Sequence, residues 1–197
     1  MKSKDSRQTM RHIATVALMF NLGVAGVYAQ QRPVKMTFSG TLERRAVIIL
    51  PDTIAVQHDV AGDGTLGPFT FRELHTETAS PQPSSSCTSG PYLPIAAGAG
   101  VFRFEDGSLL TVTVTEGAAC VNLMEGVAGV GHDTVSYQIT GGTGRFKDAS
   151  GTLTLTNAVT PVLRTASVIV PINTNTGEFQ GTVSGVAMGE DGQDARR

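Results

Sequence analysis

Side chains able to do chemistry are sparse in this chain, and few of them come at a spacing that selects a reaction. His58-Asp59 and His132-Asp133 each set an imidazole beside a carboxylate. Such a pair can move a proton and, if strands bring the two pairs together, can share a metal ion. No spacing along one strand matches a zinc site, and Asp63-Gly64 lacks the other ligands of a calcium loop. No metal or cofactor is therefore expected. Nucleophilic catalysis has no support, because Gly-x-Ser-x-Gly is absent and Ser184, within Gly181-Thr-Val-Ser-Gly185, falls in a strand pattern. Glu43, Glu73, Glu77, Glu105, Glu116 and Glu125 supply carboxylates without a spacing that singles out an acid–base pair. The weak catalytic candidates are His58, Asp59, Arg103 and Asp133, and as strand neighbours His58 and Asp59 should face opposite sides.

Thr140-Gly-Gly-Thr-Gly144 looks at first like the phosphate-binding turn of dinucleotide enzymes. Lys147 stands where the last glycine of that fingerprint belongs, and Thr152-Leu-Thr-Leu-Thr156 follows as a strand instead of a helix. The glycines are better read as backbone geometry. Gly141, Gly142 and Gly144 permit a sharp reversal, Phe146 turns inward as a plug, Arg145 and Asp148 pair at the rim, and Gly151 allows close backbone approach.

The elements that carry these residues have period two. Val34, Met36 and Phe38 alternate with polar residues, Ala46 to Leu50 is a short apolar run, and Ile54 to Val60 follows Pro51-Asp52. Phe69, Phe71 and Glu73 share one side of the next strand, with Thr70, Arg72 and Leu74 on the other. Val101 to Phe104 turns at Glu105-Asp-Gly107 into Leu109 to Thr115. Strand patterns recur at Val121–Val127, Thr134–Thr140, Thr152–Val159 and Ser167–Ile172, and a last hairpin is expected to turn at Asn173 to Gly177 into Glu178–Met188. The fold class is all-β, an antiparallel barrel of about eight strands, with a β-sandwich as the alternative. Thr78 to Gly100 reads as one long loop, either a surface insertion or a lid over a barrel mouth.

Residues 1–29 read as a signal peptide. Lys2, Lys4, Arg7 and Arg11 flank an apolar run from Ile13 to Val27, and Val27-Tyr-Ala29 offers a cleavage site before Gln30. The run is too short for a retained anchor, so the expected product is secreted or periplasmic and free of the membrane. Residues 30–188 form a single domain and 189–197 a disordered tail. Cys87 and Cys120, the two cysteines of the chain, are expected to pair in that oxidising setting. A formal net charge of −2 and no Trp leave no basic, aromatic surface for nucleic acid. Outer-membrane barrels need longer strands and aromatic girdles, which are missing from the pattern.

Gly141-Gly-Thr-Gly-Arg-Phe146, with Ala149 and Gly151, resembles the glycine motif of the allene oxide cyclase and dirigent barrels. His58-Asp59, Gly107-Ser-Leu109 and Leu66-Gly-Pro-Phe-Thr70 agree with that layout in order, and the whole is similar to exported bacterial members of the group. The resemblance implies an eight-stranded barrel with a central cavity, and a homo-oligomer, the plant relatives often being trimers. Two functions are compatible with it. One is a barrel without catalytic machinery that holds a small apolar molecule or serves a structural role. The other is a barrel that guides cyclisation or coupling of a reactive small molecule.

Overall fold

The computed structural model describes residues 30–46, 50–83, 87, 90–121, 123–124, 127–128, 130–162 and 172–187. The expected signal peptide, the tail and most of Ser167–Ile172 lie outside the described residues.

Alternation of apolar and polar residues over runs rich in Val and Thr favours half-buried strands. Eight long ones form: β1 (Arg32–Ala46), β2 (Thr53–Gly64), β3 (Phe69–Thr78), β4 (Tyr92–Phe104), β5 (Leu109–Cys120), β8 (Gly131–Gly142), β9 (Ser150–Pro161) and β10 (Ile172–Ser184). Between β5 and β8 sits a small hairpin, β6 (Leu123–Met124) paired with β7 (Val127–Ala128). The long strands close into one barrel in the order β1-β10-β9-β8-β5-β4-β3-β2. Every neighbouring pair is antiparallel. Closure leaves no edge strand in the barrel, and the sandwich alternative is excluded.

The two ends differ. At one, connections 65–68, 105–108 and 143–149 are short, and Phe146, in a 3-10 turn spanning Gly144–Phe146, is fully buried as a plug. At the other, connections 79–91, 121–130 and 162–171 are longer, and 47–52 is of similar length to the short ones. The plugged half is filled by aromatic rings. Phe71 and Phe102 lie 4.3 Å apart between centroids, Phe102 and Phe179 4.9 Å, Phe38 and Phe179 5.0 Å, and Phe104 and Phe146 4.7 Å. Each such ring contributes roughly 1.5–3 kcal/mol by leaving water, so this half supplies much of the stability.

The glycine turn behaves as backbone geometry. Gly144 has φ +58° and Gly151 φ +140°, and a Cβ on Gly151 would lie 2.1 Å from the Thr182 carbonyl oxygen of the neighbouring strand. Gly141 and Gly142 end β8 just before the turn.

Several sequence expectations need correction. Arg145 does not pair with Asp148. Its Nε lies 3.1 Å from Asp106 Oδ2, its Nη2 donates to the Leu66 carbonyl at 2.6 Å, and its guanidinium covers Phe104 and Phe146. A cation held over two rings and a carbonyl gains more than an exposed pair at the rim. Asn173 to Gly177 is not a turn: β10 passes straight through it, because its alternate residues Asn173 and Asn175 point into the barrel. Val34 to Phe38 is the start of one strand that continues to Ala46, and the long loop ends where β4 begins at Tyr92. Val121–Val127 contains the β6–β7 hairpin in place of a barrel strand.

Candidate functional site

The half of the barrel nearest the 79–91 and 162–171 connections holds most of the buried polar groups, beside a small apolar cluster of Leu42, Val56 and Val159, and both arise from the same alternation that builds the aromatic half. On β3 the inward face runs Phe69, Phe71, Glu73, His75, Glu77. His58 pairs across β2 with Glu73. β1 adds Arg44, β8 adds Asp133 and Tyr137, β9 adds Asn157 and β10 adds Asn173 and Asn175. Arg44 keeps 16% side-chain exposure while Glu77 has none, so the guanidinium marks the outer limit of the cluster.

Two linked sets of contacts fill this space. In the outer set Arg44 grips Glu77 with two bonds, Nε to Oε2 and Nη2 to Oε1, both 3.0 Å, and Nη2 reaches Asp133 Oδ1 at 3.3 Å. Asn157 Oδ1 accepts from the Asp133 backbone N–H at 2.8 Å, and its Nδ2 donates to Asp133 Oδ2 at 3.3 Å. The inner set centres on Glu73. Tyr137 donates to its Oε2 at 2.9 Å, His75 Nδ1 lies 3.2 Å from Oε1, and His58 Nδ1 lies 3.6 Å from Oε2. His75 joins the sets, since its Nε2 is 3.5 Å from Glu77 Oε1, a charge contact too long for a well-formed hydrogen bond. Asn175 Nδ2 sits 3.3 Å from His58 Nδ1.

Burial and neighbouring charge compete at every titrating group here. Burial pulls His75 down, but Glu73 and Glu77 outweigh it and raise the imidazole to about 9. His58 goes the other way: burial dominates the pull of Glu73 and keeps it below its ordinary value. For Glu77, burial is overcome by His75 and Arg44, which carry it down to about 2. Burial likewise opposes ionisation of Glu73, yet His75, His58 and Tyr137 hold it below the usual range. Burial and the Glu73 carboxylate together push Tyr137 well up. Near neutral pH the cluster therefore holds a charged His75, a neutral His58, a neutral phenol and ionised Glu73 and Glu77.

Two of the sequence candidates, His58 and Asp133, meet in this cluster. Asp59 and Arg103 do not. Asp59 faces outward and binds Arg72 Nε at 2.6 Å, and both Asp59 and Arg103 line a groove of about 620 Å³ on the outer surface of β1–β4. Arg44, His75, Glu77, Tyr137, Asn157 and Asn175 were not among the candidates. Their signal was the inward position each takes once a strand's period is continued past its apolar residues. Cys87 and Cys120 form the expected disulfide, with Cα atoms 5.4 Å apart, tying the 79–91 connection to the end of β5. Among the described residues no helix is long and apolar enough to cross a membrane.

No protein-family model matches the chain, and no curated protein matches it. Among solved structures, the pterocarpan synthase dirigent protein aligns with 85% of this chain and 98% of its own at 17% identity, with a TM-score of 0.36. The closed eight-stranded barrel rests on its own strand pairing, not on that overlay.

Proposed function

We propose that the protein is an exported barrel that takes a small oxygen-bearing molecule at its long-loop end and guides an isomerisation or ring closure there. The observation that carries this reading is the placement of Glu73, His75, Glu77, Asp133 and Tyr137 inside the barrel, each nearly inaccessible to solvent. Buried charge is costly, and hydrophobic replacements of such networks are often neutral or stabilising. Strongly shifted groups gathered in one place are also a mark of functional sites. Tyr137, kept neutral, is the proton donor of the cluster. His75 and Glu73 are the fixed charges that a rearranging molecule would meet. Rearrangement needs no oxidant or reductant, so orientation and preset charge suffice. The glycine-motif resemblance to allene oxide cyclase and dirigent barrels supports the same class, and the disulfide supports export. Polar groups buried in one part of the barrel interior and rings filling another favour this over the holding of an apolar molecule.

Native mass spectrometry of the protein produced in its source is the test. A reproducible organic adduct is expected on the wild type and should be lost from Tyr137→Phe, which removes one hydroxyl and little volume. Repeated absence of any organic adduct from the folded wild type overturns the proposal and leaves the network a structural role.

A further inference from the structure

We propose that His58, Glu73 and His75 form a binding site for one divalent first-row transition ion, with zinc as the reference case. One donor atom from each of these three buried side chains can be chosen so that all lie within 4.8 Å of one another. Around a tetrahedral zinc with bonds of about 2.0–2.1 Å, neighbouring donors are separated by about 3.3 Å. Glu73 spans the two imidazoles through its two oxygens, Oε1 lying 3.2 Å from His75 Nδ1 and Oε2 3.6 Å from His58 Nδ1. Two imidazoles and one carboxylate suit zinc, iron(II) and cobalt(II) far better than calcium or magnesium.

Independent features point the same way. Metal-bound histidines usually give their second nitrogen to a carboxylate, which fixes the ring. His75 turns Nδ1 toward Glu73 and has Glu77 3.5 Å from its Nε2 as a charge contact, and Glu77 is itself clamped by Arg44. Tyr137 supports the Glu73 oxygen at 2.9 Å. Finally, buried His58 Nε2 and Asn175 Oδ1 have no hydrogen-bond partner among the described residues, so the polar atoms around His58 are not fully satisfied by protein alone. Three protein donors leave a fourth position for water or for an oxygen of a bound molecule.

The inference goes beyond the proposed reaction, because an ion can bind whether or not an organic molecule does. The experiment is titration of chelator-treated, full-length protein with zinc chloride by calorimetry, and with cobalt chloride by visible absorption. One equivalent of zinc is expected to bind with a dissociation constant of about 10 μM or tighter, and cobalt should give the intense bands of a four- or five-coordinate ion. His58→Ala should weaken binding at least 100-fold, and His132→Ala, on the outer surface, should leave it unchanged. Binding weaker than about 1 mM to the wild type, binding untouched by His58→Ala, or binding abolished by His132→Ala overturns the site. If His58→Ala fails to fold, the cobalt spectrum decides: weak bands of a six-coordinate surface ion refute the site, and intense bands that persist in His132→Ala uphold it. Metal binding without an organic adduct would sink only the proposed reaction, and an organic adduct without metal binding would sink only the ion site.

Discussion

Replacing Arg44 with methionine isolates the electrostatic argument, because the stem is kept while the charge is lost. The guanidinium lies 3.0 Å from Glu77 and 3.3 Å from Asp133. At an effective dielectric constant near 20, each contact is worth about 5 kcal/mol of gross attraction. Desolvation offsets much of it, and breaking a buried pair by removing one partner typically costs about 3–5 kcal/mol. A second route gives a similar size. Glu77 falls from its ordinary 4.5 to about 2, which corresponds to about 3 kcal/mol of stability at neutral pH, shared between Arg44 and His75. Arg44→Met should therefore lose about 3–5 kcal/mol at pH 7 in equilibrium urea unfolding.

The pH dependence is the sharper half of that experiment. In the wild type Glu77 has a depressed value, so its contribution is present above pH 4.5 and is lost as pH falls toward 2. Without Arg44 the Glu77 carboxylate takes up a proton more readily, and the folded variant gains that proton as pH falls toward 4.5. The deficit of Arg44→Met should then shrink by about half between pH 7 and pH 4.5. Arg72→Met, which breaks an exposed pair with Asp59, is the control and should cost less than about 1 kcal/mol. A deficit below about 1 kcal/mol for Arg44→Met, or one that stays constant across that pH range, would refute the claim that Arg44 neutralises buried carboxylates.

Two further outcomes follow from the same structure. His75 is raised from 6.5 to about 9, so its contribution is full below pH 6.5 and is lost as pH climbs through 9; chelator-treated wild type should lose up to about 3 kcal/mol between pH 6 and pH 9.5, and His75→Gln should lack that slope in urea unfolding. The Cys87–Cys120 bond closes a separation of 33 residues, so the double serine variant should be less stable by about 3–4 kcal/mol in the chain-entropy account, and thiol titration of the unfolded, unreduced wild type should find no free thiol.

The barrel was legible because its signal is local and repeated. Val34, Met36 and Phe38, or Phe69 and Phe71, declare a face within five residues, and Asp106-Gly107 declares a turn in two. The glycine turn was also readable, since Lys147 and the strand after Ser150 left no place for a phosphate loop. The polar cluster was harder to see for a physical reason. Glu73, His75 and Glu77 extend the Phe69–Phe71 face, but a charged residue on a strand is ordinarily taken as marking the solvent side. Asn173 and Asn175 were hidden by the turn propensity of Asn, Thr and Gly, which strand pairing on both sides of β10 overrides. Arg145 was placed with the nearest acid in sequence, whereas its true partner Asp106 comes from another connection. Contacts of that kind depend on closure of the barrel, which no single strand encodes.

The division of the barrel interior is itself an argument about function. If stability alone shaped the inward positions, the ring packing that joins Phe71, Phe102 and Phe179 would extend toward the other end. Instead β3 changes from phenylalanine to Glu73, His75 and Glu77 on the same face. β1 changes likewise, from Phe38 and Leu42 to Arg44. β2 and β9 do not follow this change throughout: beyond His58 and Asn157 they return to the buried Val56 and Val159, which pack with Leu42. A network of this kind tolerates loss of a single member badly and wholesale apolar replacement well. Its persistence beside a complete aromatic core is therefore best explained by what the charged half does, with the plugged half providing the rigid frame that holds Glu73 and His75 in place.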